Sequence, residues 1–445
     1  MSISRIFDTS RRALQNTRWS IDTTASNIAN INTDGYTRRR TDLSGIAFGL
    51  NGMNGNNLMR VRQRFVENQL SNENQNLAKF KSDEMIMTQV EGILGEPLES
   101  SLSNVLSEFW NSWNDLANEP ESQPARSIVK DKGVLLSNTF NRVHKDLRDL
   151  QGEINSDIQN KVTQVNHIVN QIHSINEQVG VNMSADLLDQ RNLLVRDLAT
   201  LVNIDTRESD NGEITISTGG QILVSGNYKN ELVAETSSKN GMLNINLRLG
   251  ESNHNANITS GDLGSLLEIH SNQIPDTIEK LNLLAVSLSE QVNQVHSSGF
   301  NLSEMTGMNF FANNISGADD FRVSEEIFRD PSLIATSSTI DAVGDGSIAQ
   351  AISDIQFESC VQDNTISDFY NGLISNIGNR VQEAQFMRRS QEMVVQNLEN
   401  QRDSISGVSL DEEMTKLIEY EQAYQAAARM IATVDEMVQT VLNMI

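Results

Sequence analysis

Apolar residues recur every seven positions at both ends of the chain. Near the start Phe7, Leu14, Ile21 and Ile28 keep this spacing, with Ile3 and Ala25 on the same side. At the far end Leu410, Leu417, Tyr424, Ile431, Val438 and Ile445 keep it over five heptads, and Met414, Ala428 and Leu442 fill the second seam position. A period of 3.5 draws one apolar stripe along a helix and favours left-handed packing against another helix. Such a stripe, running to the last residue with no core of its own, is expected to bury itself against the other terminus or another copy of the chain. The plainer alternative is an amphipathic helix lying on a globular domain.

Between the ends, helical periodicity holds from about Arg62 to Asn203, punctuated early by Pro97, Pro120 and Pro124. The Asn/Gln-rich run from Leu135 to Val181 reads as one or two extended helices. From Ile204 to Leu249 the period drops to two, as in Leu243-Asn244-Ile245-Asn246-Leu247, with turn signals at Asn211-Gly212 and Asn240-Gly241. This predicts a small β-rich insertion of about four strands. Helix resumes from Asp262 to His296, gives way to turn-rich sequence over 297–346, and returns near Ile348 and from Ile366 to Arg402. The segment 45–57 carries Gly45, Gly49, Gly52 and Gly55 among asparagines. With no strand before it and no Lys-Ser/Thr after it, it reads as a linker rather than a phosphate cradle.

Composition agrees with an extended molecule. The 445 residues allow two to four domains, yet only 38% are apolar and 5% aromatic, which suits elongated helical domains better than one thick core. A net charge of −25 argues against nucleic acid and anionic membrane as partners. The first 70 residues run the other way, with ten Arg against five acidic residues. These arginines either sit solvated on helix faces or meet acidic surfaces of neighbouring subunits. Cys360 is alone, so no disulfide forms within the chain and it reads as a small buried apolar residue. Arg5, Asp8, Arg11 and Arg12 break every apolar run at the start, which excludes a cleaved secretory signal from the reading. No stretch reaches the roughly 20 apolar residues of a membrane span.

The search for chemistry gives no catalytic, cofactor or metal site. The six histidines are scattered, and His167 and His173 are six apart, not the four of a helical zinc pair. Neither a His-Glu-x-x-His nor a Gly-x-Ser-x-Gly sequence occurs. The acidic pairs Asp319-Asp320 and Glu325-Glu326 read as solvated faces in so acidic a chain. Ser409-Leu410-Asp411-Glu412 has capping-box spacing and marks a helix start. Trp110 and Trp113 share a helix face and read as core packing.

Two segments carry a resemblance. Ser26-Asn27-Ile28-Ala29-Asn30-Ile31-Asn32-Thr33-Asp34-Gly35-Tyr36-Thr37-Arg38 resembles the N-terminal motif shared by flagellar axial proteins, the rod, hook and hook-associated subunits. Its residues make physical sense: a helix ends near Asn30, Asp34-Gly35 allows a tight turn, Tyr36 packs back, and Arg38 to Arg40 face polar partners. The stretch from Gln401 through Leu410-Asp411-Glu412-Glu413 to Tyr424 and Arg429 is similar to the C-terminal domain of the hook-associated protein one family. So are Trp113 to Pro120, Asp186-Leu187-Leu188-Asp189-Gln190-Arg191, and Val292 to Leu302 in the middle. One departure is visible, because Phe310-Phe311 is followed within about a dozen residues by Asp320-Phe321-Arg322-Val323, where many relatives carry a large outer β domain.

The resemblance implies a mainly α, discontinuous chain without that outer domain. Residues 1–65 and 386–445 would pair as an inner helical domain, 66–203 and 262–385 would form a helical domain, and 204–261 the β insertion. It also implies a structural subunit of the hook–filament junction, assembled as a ring of copies between the hook protein and the next hook-associated protein toward flagellin. Export through the flagellar apparatus without cleavage, with a chaperone on the C-terminal helix, follows from the same likeness. The assembly interface would be the heptad residues, with Asn27, Ala29, Asn30, Asn32, Thr33, Gly35, Tyr36 and Arg38 forming the axial motif. The alternatives are a hook or distal rod subunit, a secreted enzyme on an axial scaffold, and an adhesin or effector using the same exporter.

Overall fold

The computed structural model describes residues 3–41, 58–61, 63–95, 101–209, 211–239, 242–250 and 255–443. The glycine segment 45–57, Pro97, the turn signal Asn240-Gly241 and Ile445 lie outside the described residues. The molecule is mainly helical. Its spine is one helix, α4 (Gln123–Val181), 59 residues long. Ser122 caps it by accepting from the Ala125 N–H, and Pro124 sits in the first turn, where its missing donor costs nothing. Around the spine pack α2 (Arg64–Leu94), α3 (Leu102–Asn118), α5 (Ala185–Leu201), α6 (Gly261–Glu268) and α7 (Ile274–His296). A five-residue π-helical segment, Ile269–Gln273, joins α6 to α7.

The Asn/Gln richness of α4 has a structural use beyond coating a surface. Asn176 donates to the Ile214 carbonyl at 2.8 Å and accepts from the Ile214 N–H at 3.2 Å. Asn166 does the same for Leu232, at 2.8 and 2.7 Å. On α7, Asn293 pairs with both backbone groups of Phe311 in this way. A side-chain amide carries a peptide's donor and acceptor, so it docks non-helical backbone on a helix without orphaning polar groups.

The β insertion holds more strands than the alternation suggested. β3 (Asp205–Glu208), β4 (Ile214–Thr218), β5 (Gln221–Ser225) and β6 (Tyr228–Lys229) form an antiparallel sheet in sequence order. β7 (Leu232–Lys239) and β8 (Met242–Leu249) form a separate hairpin. Breaks as short as those around Gly226 and Asn230 do not interrupt a two-residue period visibly, so alternation understates the number of strands.

The aromatic centre lies between α3, α4 and the turn-rich segment. Phe109, Trp110 and Trp113 are buried, and Phe310 packs edge-on against Trp113 with centroids 5.1 Å apart. Gly133 of α4 makes this approach possible, since a Cβ there would stand 2.8 Å from the Phe310 ring. After Phe310-Phe311 the chain turns back at once. Ala312 N–H donates to Arg322 and Ser324 N–H to Phe310, both at 2.9 Å, and Phe321 stacks on Phe311 at 4.5 Å. A tight loop closes the place where an outer domain would enter. The turn-rich segment also contains the short helix α8 (Glu325–Arg329), before α9 (Ser347–Asp354).

α10 (Ile366–Ser406) runs beside α2, and Leu70, Leu77, Val395 and Leu398 make an apolar cluster of their own. The division expected at 385/386 falls inside this uninterrupted helix. The remaining elements are α1 (Ile3–Ala29), the pair β1 (Arg39–Thr41) and β2 (Leu58–Arg60), and α11 (Leu410–Leu442).

Two buried polar side chains pin the turn-rich segment. Arg126 donates to the carbonyls of Pro120 and Ile334 and to Thr336 Oγ1, and burial lowers its guanidinium to about 10. His296 receives the Ala335 N–H at Nε2, 2.9 Å away, while Nδ1 lies 2.7 Å from the Met308 carbonyl. Nδ1 is therefore the protonated nitrogen of a neutral ring. Burial depresses its pKa from the usual 6.5 to about 4. The unfolded chain binds a proton in that window and the folded chain does not. Stability from this residue is complete above pH 6.5 and falls as pH drops toward 4, by about 3 kcal/mol in all. Urea denaturation at pH 7 and pH 4.5 should show that His296→Gln loses less stability on acidification than the unsubstituted chain.

Candidate functional site at the paired chain ends

The two ends meet. α1 packs along α11, and the join is made where the motif after α1 reaches the first turn of α11. Asn27, in the last turns of α1, is buried and its amide is saturated. It donates to the Arg39 carbonyl at 3.0 Å and to Glu413 Oε2 at 2.8 Å. Its oxygen accepts from Tyr36 Oη at 2.9 Å and from the Arg39 N–H at 3.0 Å. One side chain thereby fixes the returning motif and a helix 386 residues away in sequence. Arg38 completes the contact, with Nε on Glu413 Oε1 at 2.9 Å and Nη2 on Glu412 at 2.8 Å.

The rest of the motif shapes this hub. α1 stops at Ala29, which is exposed. Asn30 donates back to the Ser26 carbonyl at 2.9 Å and accepts from Thr33 Oγ1 at 3.1 Å, closing the turn. Asn32 is exposed and makes no contact that the geometry assigns to the hub. Gly35 has φ +77°, a left-handed conformation that turns the chain so Tyr36 folds back over Asn27. Beyond it, Arg39 binds Asp186 and Asp189 of α5, and Arg60 of β2 binds Asp189 at 2.8 Å. Arg38, Arg39 and Arg60 meet acidic groups of the same chain, where the sequence reading offered solvent or neighbouring subunits.

The seam between α1 and α11 differs from the expected heptad zipper. The buried residues of α1 are small or polar: Ser10, Ser20, Thr23, Thr24 and Asn27. Ser10 and Thr23 satisfy their hydroxyls on carbonyls one turn back, which permits close approach without orphaned donors. On α11 the buried positions are Glu413, Ala427 and Val434. Of the heptad residues, Leu14, Ile21, Ile28, Leu417 and Ile431 are half-buried at the margins of the seam. Phe7, Leu410, Tyr424 and Val438 are exposed, Phe7 by 42%. Met414, Ile418, Met430, Met437 and Leu442 are exposed as well, Leu442 by 66%. One helix cannot cover two apolar faces of its partner, and small residues set the pairing register, so much of the apolar stripe stays outside the pair.

A model of the flagellar hook-associated protein FlgK helical domain matches residues 87–311, half of the chain. The chain belongs to this family. A flagellar basal body rod protein model matches residues 7–37, covering α1 and the motif, and a basal body rod FlgEFG C-terminal model matches residues 399–444. Flagellar hook-associated protein 1 of Bacillus subtilis is 28% identical over 98% of this chain and 97% of its own length. The protein of that name from Salmonella typhimurium is 25% identical over 95% of this chain and 97% of its own length. That alignment runs over 535 positions against the chain's 445 residues, so the Salmonella relative carries residues this FlgK-family chain lacks. The flagellar hook junction protein FlgK from Burkholderia pseudomallei has the same fold, at a TM-score of 0.68 with 16% identity, over 76% of this chain and all of its own.

Among the described residues no group of three His, Cys, Asp or Glu is placed to hold a metal ion, and no helix is long and apolar enough to cross a membrane. Sequence reasoning missed Glu413, Asp186 and Asp189 as partners of the motif. Glu412 reads from the sequence as the capping-box acid at the start of α11, yet its carboxylate and that of Glu413 face Arg38. Asn27→Ala removes four hydrogen bonds and leaves buried groups of Glu413 and Arg39 short of a partner, at a cost of about 3 kcal/mol. Hydrogen exchange of α1 and α11 amides should quicken in that variant while α4 amides keep their rate.

Proposed function

We propose that this chain is a non-enzymatic structural subunit of the bacterial flagellum that forms the junction between hook and filament. The observation that carries this reading is the exposed apolar stripe on the paired terminal helices of a FlgK-family chain, aligned end to end with hook-associated protein 1 relatives. A stripe of this size in water is unfavourable, and burying each large side chain contributes about 1.5–3 kcal/mol. Neighbouring subunits in an axial lattice provide that burial. Residues 1–65 and 386–445 then act as the inner domain, with Phe7, Leu410, Tyr424 and Val438 facing neighbours. The helical residues 66–203 and 262–385 stand outside it, with 204–261 as a small β appendage.

On this reading the copies form a ring, resting on the hook protein and carrying the next hook-associated protein toward flagellin. The subunit reaches its place by flagellar export without a cleaved signal, and a chaperone shields the α11 stripe before export. The Asn27–Arg38–Glu413 hub holds the two terminal helices in the register that presents the stripe.

Electron microscopy of a strain deleted for this chain, with flagellin assayed in the medium, tests the role. Hooks without filaments and free flagellin outside the cell are expected; normal filaments would refute it. Ile418→Asp with Met430→Asp, both at exposed positions of α11, should reproduce the deletion phenotype while the purified chain keeps its helical content. A normal junction in that double variant would exclude the stripe as the assembly face.

A further inference from the structure

We propose that the terminal helix pair is a separate lever that pivots on the body, held at its base by an ionic latch rather than by an apolar core. This inference stands on the fold alone and holds whatever lattice the chain enters. Three observations carry it. First, among the described residues, no buried or partly buried apolar side chain of α1 or α11 belongs to the apolar clusters of the body. Two packed elements joined without shared apolar area have little to fix their relative angle.

Second, among the described residues the ion pairs that cross all fall on one helix, α5, beside a backbone bond from the Arg38 N–H to the Ser406 carbonyl at the end of α10, 3.0 Å long. Arg39 binds Asp186 and Asp189, and Arg60 binds Asp189, while the Thr37 N–H approaches Asp189 Oδ2 at 3.5 Å. Arg39, Arg60 and Asp189 each keep only 9% of their side chain exposed. One nearly buried carboxylate thus holds two guanidiniums at the foot of the lever. Removing it sets two like charges side by side in a site poor in water, and their repulsion drives the parts apart.

Third, the lever has a hinge and room to move. The chain passes from α10 to α11 through Gly407-Val408-Ser409, and a Cβ at Gly407 would meet the Asp403 carbonyl at 2.3 Å. Against this turn lies an open cleft of about 620 Å³, walled by the motif on one side and by Asn192 and Arg196 of α5 on another. Rotation about the turn would narrow or widen that cleft without disturbing the core. Such a joint lets one subunit present its terminal helices and its body at more than one mutual angle.

The test is a distance measurement by electron paramagnetic resonance on the full chain with Cys360→Ser, spin-labelled at Thr415→Cys near the foot of α11 and Glu177→Cys on α4. The unsubstituted latch should give one narrow distance. Asp189→Asn should at least double the width of the distribution with far-UV circular dichroism unchanged, and Asp189→Glu should restore the narrow one. Arg39→Gln, which keeps the Arg60–Asp189 pair, should widen it less. An unchanged distribution in Asp189→Asn would overturn the latch, and so would broadening accompanied by loss of helix.

Discussion

Everything at the chain ends depends on one buried amide. Asn27 has two donors and two acceptor sites, and all are used, on Arg39, Tyr36 and Glu413. Its bond to Glu413 is charge-assisted, and Arg38 neutralises the same carboxylate from the other side. A nearly buried carboxylate is tolerable only with such partners. The hub therefore demands that the motif, the end of α1 and the start of α11 be present together. The small residues of the α1 face then follow, because a close seam at Ser20, Thr23 and Thr24 leaves the polar hub within reach.

The price of that seam is an uncovered stripe. A zipper of large apolar residues would have closed the pair upon itself and left nothing for a neighbour. Here Phe7, Tyr424, Val438 and Leu442 remain in water beside a seam built from serines, threonines and an alanine. The body solves the opposite problem. It carries its own core around α4 and the Phe109–Trp113–Phe310 cluster, with side-chain amides satisfying the irregular backbone that crosses it. The chain is thus a self-sufficient body joined to an end that is incomplete alone, which is the division of labour a lattice subunit needs.

Much of this was legible in the sequence. Helical periodicity located α4, α7 and α10, because the long buried stripes of these helices repeat many times and averaging favours them. The turn after Asn30 was legible because Gly35 is a residue whose chemistry names its conformation. The strands β5 and β6 were not separable, since two to five residues give alternation too few repeats to end visibly. Glu413 and Asp189 were hidden for a different reason. Nothing local distinguishes a carboxylate that caps a helix from one that meets an arginine hundreds of residues away. The heptads misled in one respect, for a 3.5-residue repeat marks which face is apolar and says nothing of which partner covers it.

The most direct measurement is an electron cryomicroscopy reconstruction of intact hook–filament junctions containing this chain. The expected density shows α1 paired with α11 at the inner wall, the Asn27–Glu413 contact intact, and Ile418, Tyr424 and Leu442 covered by adjacent subunits. Terminal helices whose apolar stripe faces open solvent, or which part from each other to pair with neighbours instead, would contradict it.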